Sequence, residues 1–360
     1  MKKTPWMVWS LFLCIAHLAA QAEAQTIIDL GPNAIVSGMS DDGQVVVGSF
    51  GLGGSAFRWT RANGLQLIGG SGPPYVSGDG AVIGGTIMDG AIEKAAIWVN
   101  GTNWQLLGDV PGGAPCDILS SSVWGINGDG SVIVGLAWHD CVSARAFRWD
   151  EVNGMVDLGA VGDNSRANGV SEDGTTAVGW DANPDTGTWE GARWVSGTES
   201  PLSDEETVGE ATAANSDGSI IVGGRGGALS NQAYRWTSTT GIELIGVLSN
   251  PAGSARATDL SEDGNLIVGF SGGSPIDRAG FAWTPKDGMV RIDDYLTTQG
   301  VEGLQSWSLD TPIAVSPDKR FIAGWGIRNA AFHGFLVDFL GLFTDGFESG
   351  DTSAWSAMAP

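Results

Sequence analysis

The sequence predicts an all-β fold, a β-propeller with seven four-stranded blades closed by an N-terminal strand. Three observations carry this prediction: a motif repeated seven times, an apolar run ending in Trp that follows it, and a spare strand-like segment near the N-terminus. In the motif, a Ser or Asn stands two residues before an Asp, and a Gly stands six residues after that Asp. The seven repeat aspartates are Asp42, Asp79, Asp129, Asp173, Asp217, Asp263 and Asp318.

The period of the repeat indicates propeller blades. The first and last repeat aspartates lie 276 residues apart over six intervals, a mean of 46. WD-type and kelch-type blades have periods of about 40 to 50 residues, whereas the coils of a parallel β-helix are much shorter. Such units bury their apolar faces only when they stack on their neighbours, so the repeat predicts architecture more directly than function.

Each period contains four strand-sized runs, as a propeller blade requires. One short run leads into the Asp turn and a second follows it. Six of the seven units then have a third run ending in Trp, and several add a fourth ending in Leu or Ile before Gly, such as GLQLIG at 64–69 and GMVDLG at 154–159. In the fourth unit the irregular segment 197–209 replaces the last run, which leaves six or eight blades as alternatives.

The motif has the chemistry of a hairpin turn. The Asp and Ser oxygens accept hydrogen bonds from turn amides, and the following Gly adopts the left-handed conformation. The last copy has Lys319 in place of that Gly. Since a side chain disfavours positive φ, we expect this turn to be strained or of another type. No helix-period segment of useful length follows residue 25.

The two ends of the repeat region complement each other. After AFHGFLVD at 331–338 no further Leu-Gly strand follows, but TIIDLG at 26–31 matches GMVDLG. A propeller closes its ring to protect its sheet edges, so this N-terminal segment is predicted to supply the last strand of the last blade. The predicted propeller spans residues 25–342, and we expect a monomer.

Residues 1–24 have the features of a signal peptide. Lys2 and Lys3 precede an apolar run, and small residues at 20–24 offer cleavage sites. The sequence therefore predicts an exported protein, placed in the extracellular space, on the cell surface or in the periplasm. No later segment is long enough to span a membrane as a helix.

Cys116 and Cys141 lie on either side of the turn at Asp129, 13 residues before the Asp and 11 after the Gly. Antiparallel pairing about that turn brings them nearly opposite one another, in a compartment where disulfides form. We predict a disulfide, the alternative being two unrelated loop thiols.

The formal net charge of −23 disfavours nucleic acid and anionic lipid as partners. One segment has ligand spacing for a divalent cation: Asp181, Asn183 and Asp185 alternate before Gly187 as in a calcium loop. The Gly comes one residue late and the twelfth position is not acidic, so an ordinary solvated Asx-rich loop is the alternative. No other cofactor is indicated.

The sequence offers no catalytic constellation. His139 and His333 are the only histidines after the signal peptide, and metalloprotease, serine-hydrolase and phosphate-loop motifs are absent. We interpret the repeat aspartates as structural. The arginines before Trp, which alternate with the Trp side chains, are predicted to pair with turn aspartates: Arg58, Arg148, Arg193 and Arg235.

The tryptophans divide into two groups. The six that end the third run occupy one repeat position and are predicted to pack between blades. Five of the others lie in or beside connections of variable length, where exposed indoles can stack on sugars: Trp138, Trp180, Trp189, Trp307 and Trp325.

The unit running from GVSEDG through TAVG and ARW, together with AFRW followed by GMVDLG, resembles the HAF repeat of bacterial extracellular proteins over about residues 26–340. This resemblance implies an exported repeat protein with a propeller-like fold and no settled activity. Here Arg or Ala precedes Trp where family members often carry Leu. The turn also resembles the Asp box of sialidases, but Gly comes one residue early. The tail, residues 343–360, resembles a C-terminal DGFESGDTSAWS motif of secreted bacterial proteins, which implies a sorting tag; a frayed tail is the alternative.

Two classes of function remain from sequence. The first is a non-catalytic secreted protein that binds an unknown protein or glycan, or serves as a scaffold, through variable propeller loops. The alternative is a carbohydrate-active enzyme that uses carboxylates in the propeller funnel.

Overall fold

The computed structural model describes residues 26–99, 101, 103–112, 120–140, 142–202, 209–224, 231–249, 253–273 and 277–339. These residues form seven antiparallel four-stranded blades, which confirms the predicted propeller. Blades 5 and 6 are hydrogen-bonded to each other at a single pair, Gly224 with Arg256. The fourth blade is complete, because residues 198–201 form its outer strand, so the irregular segment does not change the blade number.

The strands are numbered along the chain. The closing strand is β1, Thr26–Pro32. Blade 1 contains β2 to β5, Ala34–Met39, Val45–Phe50, Ala56–Thr60 and Gly64–Gly69. Blade 2 contains β6 to β9, Ser71–Val76, Ile83–Asp89, Ile92–Val99 and Asn103–Leu106. Blade 3 contains β10 to β13, Ser121–Ile126, Ile133–Trp138, Ala144–Asp150 and Gly154–Asp157. Blade 4 contains β14 to β17, Ser165–Val170, Thr176–Ala182, Trp189–Val195 and Thr198–Pro201.

The remaining blades follow the same order. Blade 5 contains β18 to β21, Ala211–Ala214, Ile220–Gly224, Ala233–Thr237 and Gly241–Gly246. Blade 6 contains β22 to β25, Ala255–Leu260, Ile267–Gly272, Arg278–Thr284 and Gly288–Arg291. Blade 7 contains β26 to β28, Trp307–Val315, Phe321–Arg328 and Ala331–Asp338, and is completed by β1. The first strand of each blade lines the central channel.

Ring closure follows the prediction from the chain ends. Strand β1 pairs antiparallel with β28, from Thr26 opposite Asp338 to Pro32 opposite His333. Side chains reinforce the closure, since Asp29 on β1 accepts a hydrogen bond from His333 Nδ1 at 2.9 Å and pairs with Arg328. Blade 7 in turn packs against β2 of blade 1. The N-terminal strand therefore covers the edge of β28 and completes blade 7 as its outer strand.

The hydrophobic core lies between blades, and the repeat tryptophans lie in it as predicted. Trp194 of blade 4 packs with Val132 and Val134 of blade 3, and Trp236 of blade 5 packs with Val178 of blade 4. A repeat Trp therefore contacts the preceding blade, which couples neighbouring units.

The predicted pairing of the repeat arginines with turn aspartates is wrong where these arginines form ion pairs. Arg148 pairs with Asp150 on its own strand, and Arg235 lies 3.7 Å from Glu243 on the next strand. The guanidinium of Arg193 lies 4.5 Å from the ring centre of Trp236. The turn aspartates are already occupied by turn amides and hydroxyls, so the arginines use neighbouring acids and an aromatic face.

One helix was not predicted from the sequence. Residues Ile292–Thr298 form α1, which buries Ile292 and Leu296 between blades 6 and 7. A two-turn helix offers too few positions for a clear helical period, which explains why the pattern did not show it. No helix in the described part of the chain is long and apolar enough to cross a membrane.

Several predictions fall on residues outside those described. These are the signal peptide at 1–24, the tail at 343–360, and the disulfide between Cys116 and Cys141. They stay predictions.

Candidate functional site

The connections between strands lie at two ends of the ring, and these ends differ. The Asp turns join the first strand of each blade to the second, and we call their end the turn face. The opposite end carries the connections from second to third strand and from blade to blade, which vary in length. We call it the loop face. All five non-repeat tryptophans named above lie in strand segments toward this loop face.

A central cavity of about 460 Å³ opens between the first strands. The first strands of all seven blades contribute residues to its wall. Near the turn face its lining is largely aliphatic and includes Val76, Ile126 and Ala214. Aromatic rings and cations occupy other parts of the wall: Tyr75, Trp124, Arg256, Phe270, Arg278 and Trp325. Its composition is that of a ligand pocket, in which apolar walls hold a few directed polar groups.

Three charged side chains on neighbouring blades form a buried network beside this cavity, and one of them, Arg256, lines it. Glu210 Oε2 lies 2.7 Å from an Arg166 nitrogen, and Glu210 Oε1 lies 2.9 Å from an Arg256 nitrogen. The side chains of Arg166 and Glu210 are 12% and 8% exposed, and that of Arg256 is 22% exposed. Asn168 completes the network by accepting from Arg166 at 2.6 Å and donating to Glu210 at 3.1 Å. Two cations share one carboxylate, so the network carries a net positive charge.

An aromatic stack continues from this network toward the surface. The guanidinium carbon of Arg166 lies 3.8 Å from the ring centre of Trp124 and 5.6 Å from that of Trp180. Trp180 stacks on Trp189 with ring centres 4.4 Å apart and an interplanar angle of 12°. Trp180 is buried, whereas Trp189 is 49% exposed. The stack thus joins the cavity to an indole that faces solvent.

Two hydroxyl groups add hydrogen-bonding capacity to the wall. Burial raises the pKa of Tyr75, against the opposing charges of Arg166 and Arg256, so its hydroxyl stays protonated and can donate. Thr311 is 1% exposed, and its hydroxyl has no hydrogen-bond partner among the described residues. A buried polar atom of this kind favours a ligand or water that would pair with it.

The turn face is regular where the loop face is not. In most copies the turn Ser or Asn bonds to the repeat Asp and to the chain five residues on; Ser171, for instance, donates to Asp173 at 2.6 Å and accepts from the Thr176 amide at 3.0 Å. Neighbouring turns also bond to each other, as when the Asp41 amide donates to Gly78 O at 2.8 Å. Bonds of this kind are the ones that a structural role for the repeat aspartates requires.

The exceptional turn at Lys319 keeps the geometry of the others at the cost of strain. Lys319 has φ of 66° and its amide donates to Ser316 O at 2.9 Å, the bond that Gly forms elsewhere. Its ammonium group lies 2.6 Å from Asp263 in the preceding blade. Although burial opposes it, hydrogen bonding with Lys319 and the Asn265 amide holds the pKa of Asp263 to about 2. The turn is strained, as one predicted alternative stated, but of the same type.

A small acidic ring surrounds the channel at the turn face. A lower cavity of about 100 Å³ lies there, lined by Asp41, Glu172, Asp259 and Glu262, and it shares residues with the central cavity. Oxygens of Asp41 and Glu172 lie 2.6 and 2.9 Å from the point where a Cβ on Gly78 would stand. A side chain at position 78 would therefore displace one or both of these carboxylates.

Crowding of these acids shifts their protonation. Burial, followed by the charges of Asp41, Asp259 and Glu262, raises the pKa of Glu172 to about 7. Burial likewise raises the pKa of Asp259 to about 7, although the Val315 amide donates to its carboxylate at 2.9 Å. These two carboxyl groups are therefore partly protonated near neutral pH.

Two of the three predicted calcium ligands, Asp181 and Asn183, accept hydrogen bonds from backbone amides of the protein. Asp181 is buried and accepts from the Gly162 amide, and burial together with Asp181 raises the pKa of the neighbouring Glu199. Asn183 Oδ1 accepts from the amides of Asp185 and Thr186, both at 2.9 Å. No group of three His, Cys, Asp or Glu side chains within the described ranges is arranged to hold a metal ion. The observed bonds are those of an Asx-rich turn.

Sequence reasoning missed the charged network, although the repeat contained a signal for it. Arg166, Glu210 and Arg256 each lie five residues before the Ser or Asn of their own turn, a position at or just before the beginning of the first strand. Reading that column of the repeat across blades, rather than along each blade, would have placed the three side chains side by side on the channel wall.

No protein-family model matches the sequence, and no curated protein matches it. Solved structures are similar in fold. The propeller domain of the trilobed protease from Pyrococcus furiosus, which has an open velcro topology, is 12% identical with a TM-score of 0.54, over 85% of this chain and 93% of that one. An oligogalacturonate lyase in complex with manganese is 14% identical with a TM-score of 0.53, over 88% of this chain and 94% of that one.

TolB from Acinetobacter baumannii is 12% identical with a TM-score of 0.45, over 85% of this chain and 63% of that one. The present chain thus spans less than two thirds of that protein's length. Identities at this level show a shared fold alone, and the first two structures support a multi-blade propeller.

Proposed function

We propose that this protein is an exported, non-catalytic binding protein that holds its ligand at the loop face of the propeller. The observation that carries the proposal is the central cavity of about 460 Å³, whose wall combines aromatic rings with Arg256 and Arg278. Such a wall suits binding, since the rings supply contact area and the guanidinium groups supply direction. The resemblance to HAF repeats and the signal-peptide features of residues 1–24 support export.

The division between the two faces supports the same proposal. The turn face repeats one hydrogen-bond pattern in most blades, so it serves the stability of the ring. The loop face carries variable connections and the exposed indole of Trp189. Propellers are scaffolds on which irregular connections are free to carry a site.

A screen of glycans and proteins against the purified protein, with and without calcium, tests the proposal. We expect at least one ligand to bind, and Trp189→Ala to weaken that binding without changing the unfolding temperature. Binding that is unaffected by substitutions in the cavity and at Trp189 would contradict a loop-face site. Dependence on calcium would revive the proposed ligands Asp181, Asn183 and Asp185.

A second candidate is a carbohydrate-active enzyme. The observation in its favour is that Glu172 and Asp259 line the central cavity with pKa values raised to about 7, the range of a general acid at neutral pH. One structurally similar protein is an oligogalacturonate lyase. Glycan degradation that both Glu172→Gln and Asp259→Asn abolish would establish this candidate, and intact glycan after long incubation would exclude it for the glycans tried.

A further inference from the structure

We propose that the ligand of the loop face is an anionic carbohydrate, an oligosaccharide that carries carboxylate groups. This inference rests on the proposed function and names the class of ligand. The binding region, here called the loop-face cleft, comprises Trp124, Arg166, Trp180, Trp189, Glu210 and Arg256.

The charge of the buried network favours an anionic ligand. Two arginines and one glutamate leave the buried network with an excess positive charge in a chain whose formal net charge is −23. Arg278 lines the central cavity together with Arg256, and its guanidinium lies 4.0 Å from the ring centre of Phe270, which pairs with Arg256 in the sheet. Buried unbalanced charge is costly, and an incoming anion would relieve that cost.

The position of the acids agrees with this polarity. The carboxylates that line the cavity, Glu172 and Asp259, also line the lower cavity at the turn face. The cations are absent from that lower cavity. Negative charge is therefore concentrated at one end of the channel and positive charge along the wall of the other, so an anion is directed to the loop face.

The aromatic stack favours a carbohydrate as the ligand. Trp189, Trp180, the Arg166 guanidinium and Trp124 form a series of flat groups that leads from the surface to the cavity. The exposed Trp189 is the end of that series that solvent reaches. Pyranose rings present apolar C–H faces to an indole, whereas an inorganic anion or a small carboxylic acid would gain nothing from it.

Neighbouring side chains hold the guanidinium groups of Arg166 and Arg256 in place before a ligand binds. Arg166 is fixed by Glu210, Asn168 and Trp124. Arg256 is tied to Glu210 through one terminal nitrogen, Nη1, and its side chain remains partly exposed. Arginine presents five N–H donors in a planar fork, so Arg256 is able to hold Glu210 and a ligand carboxylate together.

The test compares a short oligo-uronate with the same oligomer after its carboxyl groups have been reduced to alcohols. Calorimetric titration of the native protein should show the oligo-uronate bound at least about tenfold more tightly, since a charge-assisted pair contributes at least about 1.4 kcal/mol. Equal affinities would overturn the anionic class. Inorganic phosphate that competes at the same concentration as the oligo-uronate would overturn the carbohydrate part.

Two variants locate the site. Arg256→Gln should lower affinity for the oligo-uronate about tenfold and leave affinity for the reduced oligomer nearly unchanged. Trp189→Ala should lower both affinities by the same factor, because stacking does not depend on the carboxylate. The control is Arg291→Gln, which removes an arginine that pairs with Asp293 away from the cavity and should change neither affinity. Unchanged binding in both cleft variants would overturn the location.

The result also separates this inference from the proposed function. Binding of a neutral glycan or of a protein at the loop face would overturn the anionic class and keep the proposed function. If no ligand of any class binds in the broad screen, the proposed function itself fails. If Arg256→Gln does not fold, the comparison of native and reduced oligomers still tests whether the ligand is anionic, because it needs no variant.

Discussion

The two faces of this propeller differ in how closely the blades resemble one another. At the turn face, the Ser–Asp bonds and the links between turns recur around the ring, as in Ser171 with Asp173 and Ser261 with Asp263. At the loop face, equivalent positions in successive blades hold Arg166, Glu210 and Arg256. The repeated positions hold the blades together, whereas the positions that differ between blades hold the charged side chains of the candidate site. A binding site in a repeat protein is therefore best sought at the positions that differ.

The largest effect should come from adding bulk where a blade is close-packed. A Cβ on Gly135 would stand 2.1 Å from Ser122 O and 2.8 Å from the Phe147 ring, at the repeat Gly of blade 3. Gly135→Ala should therefore lower the free energy of unfolding by about 3 kcal/mol or more. Denaturant unfolding measures this.

Gly273 provides the matched control, because no atom of the described residues lies within 4 Å of its Cβ position and its φ is not in the left-handed range. Gly273→Ala should change stability by less than about 1 kcal/mol. Equal losses in the two variants would show that the repeat Gly is not required by packing.

A smaller loss is expected from removing one hydroxyl of the turn pattern. Ser171→Ala leaves the Thr176 amide without its acceptor and Asp173 without a donor, so the free energy of unfolding should fall by about 1–3 kcal/mol. The control is Ser271→Ala at the loop face. Both serines are fully buried, but Ser271 Oγ has no hydrogen-bond partner among the described residues. That control should be neutral or stabilising, and a loss equal to that of Ser171→Ala would contradict the contrast between the faces.

The acidic ring predicts a pH dependence. The pKa of Glu172 is raised from the ordinary 4.5 to about 7 in the folded state, so its contribution is fully present below about pH 4.5 and is lost as the pH rises through 7. Asp41, Asp129, Asp259 and Glu262 are the charges that face it. Glu172→Gln should thus gain stability relative to the native protein at pH 8, by about 1 kcal/mol after solvent screening, and gain none at pH 4. Thermal unfolding at the two pH values measures the difference, and a constant offset would contradict the account.

The smallest effect is expected at Lys319, where strain and an ion pair oppose each other. Lys319→Ala keeps the left-handed φ of 66° and loses the contact with Asp263, whereas Lys319→Gly loses both the strain and the contact. The Gly variant should be more stable than the Ala variant by about 1 kcal/mol and close to the native protein. A Gly variant no more stable than the Ala variant would show that the turn carries no strain.

The sequence predicted the fold because its determinants are local and repeated. The Asp turns and the Trp runs depend only on residues within one blade. The TIIDLG segment supplies the strand that the last blade lacks. The helix Ile292–Thr298 escaped because two turns carry too little periodicity. The partners of Arg148 and Arg235 were wrong because turn hydrogen bonds already occupy the aspartates that charge alone would have chosen.

The candidate site was harder to predict because it depends on how blades are placed around the axis. The stack of Trp180 on Trp189 joins two strands of one blade, but its link to Trp124 crosses a blade boundary through Arg166. Neither Trp124 nor Arg166 belongs to the repeat motif. Such contacts arise only when consecutive blades pack together, which makes neighbours of first strands separated by more than 40 residues.

Hydrogen exchange of the native protein with and without the oligo-uronate tests most directly whether binding belongs to the loop face. The account predicts slower exchange at the loop-face ends of β14, β16 and β22, which carry Arg166, Trp189 and Arg256, and unchanged exchange at the Asp turns of the same blades. Protection of the turns at Asp173 and Asp263 with no change at the loop-face ends would contradict it.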